Sequence, residues 1–145
     1  MIRVTNQREF DISLKKIAKK IEVDAGTLVR KVAFDLFNGV VSRTPVDTGW
    51  ARSSWNIAFR TPDLSVPPKP ASGGESAAIA ANNAQEAKLD QIKAGDFPTV
   101  WITNALDYIE YLEAGHSKQA GKGFMVQRTL AETRADVNRA LKALG

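Results

Sequence analysis

Apolar residues recur at Phe10, Leu14, Ile17, Ala18, Ile21, Ala25, Leu28, Val32, Leu36, Phe37, Val40 and Val41, a spacing of about 3.6 that predicts an amphipathic helix. Gly26 interrupts the stripe at a cost of about 1 kcal/mol relative to alanine, too little to break a helix so well patterned. Asp24 and Thr27 offer caps for a second segment, yet one long helix with a bend is the favoured reading. A helix of roughly thirty residues reaches roughly 50 Å. A domain of this size does not cover that length from both sides, so part of the stripe is expected to need a neighbouring subunit.

The helix should stop at Arg43, because Pro45 lacks a backbone N–H and pushes Thr44 out of the helical region. Asp47 can fold its carboxylate onto the amides of Thr48 and Gly49, and Gly49 can take a positive φ. The chain therefore reverses in a sharp helix-to-strand corner. Beyond it Trp55, Ile57 and Phe59 alternate with Ser54, Asn56, Ala58 and Arg60, predicting a strand over 52–60 with one buried face.

Pro62, Pro67, Pro68, Pro70, Gly73 and Gly74 then exclude both helix and ladder, leaving a flexible insertion at about 61–75. Residues 75–93 are rich in helix formers but poor in apolar stripe, predicting a surface helix or a segment that orders on assembly. Gly95 to Pro98 form a turn, and Thr99 to Thr103 form a short strand antiparallel to 52–60. Asn104 stands at the N-cap of a helix Ala105–Ala114 closed by Gly115 in the left-handed region. Ala105, Tyr108, Ile109 and Leu112 face the core of that helix, and Glu110, Tyr111 and Glu113 point elsewhere. After the polar loop His116–Gly123, Val126, Leu130, Thr133, Val137, Ala140, Leu141 and Leu144 mark a last helix packed on the sheet. The fold class is α+β, in a single domain over 1–145.

Composition mainly excludes. The chain has 145 residues with no cysteine and one histidine, so a disulfide framework, a thiolate site and a histidine-rich metal cluster are out. Its start lacks the apolar core of a signal peptide, and no apolar run approaches the roughly 18 residues that span a bilayer, so a cytoplasmic protein with no membrane partner is expected. The formal charge of +4 is modest, and Lys15, Lys16, Lys19 and Lys20 read as a solvated helix face before a nucleic-acid patch. His116 and Ser117 are the one nucleophile-and-base pair on offer, and sequence neighbours rarely converge as catalytic partners do. Asp107, Glu110 and Glu113 read as a dipole-compatible solvated face before a cation site. Trp50, Trp55 and Trp101 read as core before base-stacking groups. With no phosphate loop, dinucleotide fingerprint or zinc spacing, no enzyme, cofactor or metal is expected.

Two stretches together carry a resemblance. The first is Thr44, Pro45, Val46, Asp47, Thr48 and Gly49 followed by Arg52, Ser54 and Trp55. The second is Asn104, Ala105, Tyr108, Tyr111, Leu112, Glu113, Gly115, His116, Ser117, Gln119, Ala120 and Gly123. At this order and spacing the chain resembles the tail-completion (neck, head-to-tail connector; minor tail protein Z-like) proteins of long-tailed bacteriophages, departing from the pattern at Trp50 and Gly121. The resemblance implies a structural virion protein that forms a homo-oligomeric ring, a hexamer or dodecamer, around the channel through which phage DNA passes without sequence-specific binding. It also implies contacts with other neck and tail proteins, and assembly in the host cytoplasm. Arg52, Trp55, Tyr108, Tyr111, Glu113, Gly115, His116, Ser117 and Gln119 are the interface candidates it marks. A tail terminator or other minor tail component, and a DNA-binding accessory protein, are the alternatives.

Overall fold

The apolar stripe of the first forty-odd residues folds as two helices. In the computed structural model, which describes residues 7–45, 49–71, 74–115 and 125–144, with side chains from Leu14 onward, α1 spans Gln7–Ile21 and α2 spans Ala25–Ser42. The expected single helix is thus corrected, and the cause lies at Glu22 to Asp24. Glu22 takes a left-handed φ of 55°, and the Val23 amide donates back to the Ala18 carbonyl at 3.2 Å. That closes α1 in a Schellman-type cap built on a glutamate in place of the usual glycine. Asp24 then caps α2: its carboxylate accepts from the Thr27 amide at 3.0 Å, and its other oxygen accepts from the Gly95 amide. The Gly95 amide is the main influence holding the Asp24 carboxyl below the usual aspartate range, with Thr27 and Gly26 adding to it against an opposing effect of desolvation.

Gly26 serves this joint, not a bend. A Cβ there would sit 2.2 Å from the Lys93 carbonyl oxygen, so the glycine lets the first turn of α2 touch the loop that precedes the second strand. Gly26→Ala is expected to destabilise the protein by about 1–2 kcal/mol through forced displacement of that loop. This outweighs a helix-propensity gain of about 1 kcal/mol. Thermal unfolding decides between the two, since a raised midpoint would mean propensity wins.

The break makes α2 the centre of the molecule, with apolar side chains on two faces. Val29, Ala33, Phe37 and Val40 point into one cluster with Trp55, Ile57, Leu89, Leu106, Ile109 and Met125. Val32, flanked by Leu28 and Leu36, points into a second cluster with Leu14 and Ile17 of α1 and Val137 of the last helix. Much of the stripe expected to need another subunit is therefore covered by α1 folding back, although Ile21, Val23 and Phe34 stay exposed. Phe97 packs against both clusters.

A one-turn helix α3, Trp50–Ser53, occupies the beginning of the expected strand, and β1 is Trp55–Phe59. It pairs antiparallel with β2, Val100–Asn104, with Ile57 opposite Ile102. Trp55 and Ile57 are buried, and Val100 and Ile102 join them against the core. Trp101 lies on the other face, where its indole N–H donates to the Arg60 carbonyl at 3.0 Å. Between the strands run a segment without helix or ladder over 61–71, then α4, Gly74–Ala87, and a 3-10 turn, Lys88–Gln91. The helix-former-rich stretch is thus helical, anchored by buried Ala78, Asn82 and Leu89.

The helix expected over Ala105–Ala114 is shorter, α5 at Ile109–Glu113. Asn104 belongs to β2, and its side-chain oxygen accepts from the Leu106 amide at 3.1 Å, making a local turn in place of a helix cap. Leu106 and Ile109 supply the core contact, and Tyr108 is exposed. The last helix, α6, spans Val126–Ala143. Its first turn reaches the cluster around the sheet through Val126 and Leu130. Val137, Ala140 and Leu141 carry the rest of it along α1 and α2. No helix among the described residues is long and apolar enough to cross a membrane.

Candidate functional site

The corner stretch and the second motif meet in one joint between the end of α2, α3 and the paired strands. Thr44, wholly buried, stands at its centre. Its hydroxyl donates to the Val40 carbonyl at 2.6 Å and accepts the Trp55 indole N–H at 2.8 Å. The Thr44 carbonyl accepts Arg52 Nη2 at 2.8 Å and Nε at 3.1 Å. One threonine thus fastens the last turn of α2 to both α3 and β1. Asn104, also fully buried, donates through Nδ2 to the Ala51 carbonyl at 2.9 Å and so closes the joint from β2.

Gly49 makes the entry to α3 possible. Its φ is 84°, and a Cβ would lie 2.1 Å from the Gly74 carbonyl oxygen at the start of α4. Both the left-handed backbone and the close approach require glycine. Pro45 is half-buried beside it. Asp47 and Thr48, expected to form the turn, lie outside the described residues, as do His116, Ser117 and Gln119.

Glu113 is the largest departure from expectation. It does not share a solvated face with Asp107 and Glu110, both of which are exposed. It is 9% exposed, and its carboxylate accepts the amides of Met125, Val126 and Gln127 at 3.0–3.1 Å. Met125 offers α6 no capping side chain, so a carboxylate twelve residues upstream satisfies its orphan amides and meets the positive helix end. Gly115 has the expected left-handed backbone, at φ 96°.

Of the marked residues, then, Thr44, Arg52, Trp55 and Asn104 converge, and Glu113 acts separately at α6. Trp55, 1% exposed, is in the core as its strand alternation predicts, and Glu113, read from the sequence as pointing away from the core, is interior; the resemblance marks both for a subunit contact, yet their polar atoms are spent within the chain. Tyr108 and Tyr111 are exposed, at 37% and 58%. The Tyr108 ring meets Trp50 edge to face at 6.2 Å. In the basic helix face, Lys15 stacks 4.7 Å over the Phe97 ring and Lys20 donates to the Leu144 carbonyl at 3.1 Å.

Some structural residues escaped the sequence reading. Arg43 ties α2 to α6, donating to Thr129 Oγ1 at 2.7 Å and pairing with Glu132. That pairing, with Arg128 adding to it, holds the Glu132 carboxyl below the usual range. Buried Asn56 and Thr103 lie on the outer face of the sheet and bond the 61–71 segment. Polar residues alternating with Trp55 and Ile57 read as solvent-facing, so no local signal pointed to a covering segment.

What the joint can do is hold an angle between α2 and the sheet; its side chains are committed to main-chain groups or to one another. A family model described as "Bacteriophage HK97-gp10, putative tail-component" matches residues 8–115. A search of curated proteins and a search of solved structures each found no match. The matched range holds the whole corner and the second motif as far as Gly115, in agreement with the tail-completion resemblance, and since it covers most of the chain, the protein belongs to the HK97-gp10-like family of bacteriophage tail components.

Proposed function

We propose that this tail component is a tail-completion, or neck, protein. It works as one structural domain, without catalysis, in a homo-oligomeric ring around the channel that phage DNA crosses, and it joins heads to tails through neighbouring neck and tail proteins. Its place is the virion, reached from the host cytoplasm. The observation that carries this reading is the division of labour in the motifs. Of their described polar residues, Thr44, Arg52, Asn104 and Glu113 are internal fastenings, while large apolar side chains, Phe34, Leu64, Ile79 and Tyr111 among them, lie outside the core. Exposed aromatic residues such as Phe34 and Tyr111 are of the kind enriched in the cores of protein interfaces. A groove of about 530 Å³ between α2 and α4, lined in part by Arg30, Phe34, Asn83 and Leu89, adds a concave surface.

The test separates folding from joining. If both residues serve contacts, Tyr111→Ala combined with His116→Ala should leave the melting midpoint near that of the wild type; exposed changes, as at Tyr111, stay within about 0.5 kcal/mol. The same variant should fail to join heads to tails in an infected-cell extract. Normal joining with normal melting removes this surface as the contact. Purified virions that lack the protein at the neck remove the neck reading itself.

A further inference from the structure

The two edges of the small sheet are treated differently. On the outer edge of β1 the Ile57 amide donates to Gln85 Oε1 at 2.9 Å, and the Ile57 carbonyl accepts Lys88 Nζ at 3.4 Å. That edge is blocked by side chains of α4 and the following turn. Because Ile57 turns both main-chain groups away from β2, its pairing with Ile102 is of the non-hydrogen-bonded kind. The amide and carbonyl of Ile102 therefore also point outward, on the far side of β2, and those of Val100 do the same. Among the described residues nothing bonds them. Nor does Val100–Asn104 contain the lysine, glutamate or proline with which proteins usually blunt an edge.

The same chain carries a matching strip. In the segment after β1, the carbonyls of Asp63, Ser65 and Pro67 all face the protomer. Asp63 accepts from Asn56 and Thr103, Ser65 accepts from Asn56, and Pro67 accepts the Trp50 indole N–H. The alternate residues, Leu64 and Val66, expose their side chains at 50% and 40%. Their main-chain groups have no partner among the described residues. An alternation of two, fixed from the inside, is the form of a strand waiting for a neighbour. Pro67 and Pro68 follow and end it, so addition stops at one short strand.

We propose that the open edge of β2 takes the 63–67 segment of a second copy of this chain. This deepens the ring reading and rests on it. The occupant is a second copy because the donor strip and the acceptor edge are different surfaces of one sequence. Such a heterologous contact repeats from copy to copy and closes where the rotation permits. Main-chain bonds to Val100 and Ile102 would supply the attachment, and Leu64 and Val66 would lose their exposure.

The chain has no cysteine, which makes cross-linking clean. Leu64→Cys and Thr99→Cys, each a single variant at an exposed position, are mixed in equal amounts and treated with a short bismaleimide. A linked pair is expected in the mixture and absent from either variant alone. Leu64→Asp with Val66→Asp should melt as the wild type does and lose the oligomer, reverting to a single chain by light scattering. If the wild type assembles but the mixture gives no linked pair and the aspartate variant keeps the oligomer, the strand contact is wrong and the ring stands. If the aspartate variant keeps the oligomer yet no longer joins heads, the strip belongs to another tail protein, and the copy-to-copy contact falls. A wild-type chain that stays single at its highest soluble concentration removes the ring reading, and this inference with it.

Discussion

Trp55→Ala is expected to lower the unfolding free energy by about 4 kcal/mol, within the range for deleting a large aromatic side chain from a core. The side chain is 1% exposed and packs in the cluster that joins α2 to the sheet. Part of the loss is cavity. The rest comes from Thr44, whose buried hydroxyl would lose the indole N–H it accepts at 2.8 Å. Trp55→Phe separates the two contributions in part, because it removes the donor and only the smaller share of the volume. It should cost about 2 kcal/mol. Urea unfolding with unchanged slopes reads both values. A loss below about 1 kcal/mol for the alanine variant would mean that the core closes around the gap, contrary to the usual partial relaxation.

The parts of this fold that were legible in the sequence are those fixed by backbone chemistry over a few residues. Pro45 stops α2 near Arg43, Gly49 and Gly115 take left-handed backbones, and the alternation through Trp55, Ile57 and Phe59 marks the strand. The antiparallel pairing expected of the two β-rich segments is seen between 55–59 and 100–104. What escaped was fixed at a distance. The break at Glu22 uses a residue with no left-handed preference, and the reward for breaking comes from Gly95 and Lys93, seventy positions away. A local energy of about 1 kcal/mol at Gly26 therefore misjudged a decision made by tertiary contacts. Arg52 and Ser53, read as the start of the strand, belong instead to a turn of helix that follows Gly49 and is fastened by Arg52 to Thr44.

The candidate site divides along the same line. The resemblance picked out the residues that matter to the joint, but not whether each faces inward. Thr44, Arg52, Trp55 and Asn104 are near one another only because α2, α3 and the two strands meet there. Asn104 shows how residue type misleads when position is unknown. An asparagine before a short apolar run reads as a helix cap, and here the same side chain bonds the Leu106 amide on one side and the Ala51 carbonyl on the other. For Tyr108 and Tyr111 the exposed position is compatible with the contact role proposed above.

Glu113→Ala is expected to cost about 3 kcal/mol, from the loss of charged hydrogen bonds and the stranding of buried amides. Three consecutive amides, of Met125, Val126 and Gln127, donate to this carboxylate, and at the first two the surroundings are buried. No side chain at Met125 can take over, and water has little access at 9% exposure. Gln127 is exposed, so its amide alone can turn to solvent. Glu113→Gln is the informative companion. It preserves shape, but its amide group must either present N–H to other N–H groups or leave one of the two oxygen positions unfilled, so it should recover less than half of the loss. Hydrogen exchange gives a local readout that a general loss of stability would not: the amides of 125–127 should exchange faster in both variants than those in the middle of α2, relative to wild type. If Glu113→Ala unfolds within about 0.5 kcal/mol of the wild type, the range of an ordinary surface change, the carboxylate is not what holds the start of α6, and its place at a contact between copies returns to consideration.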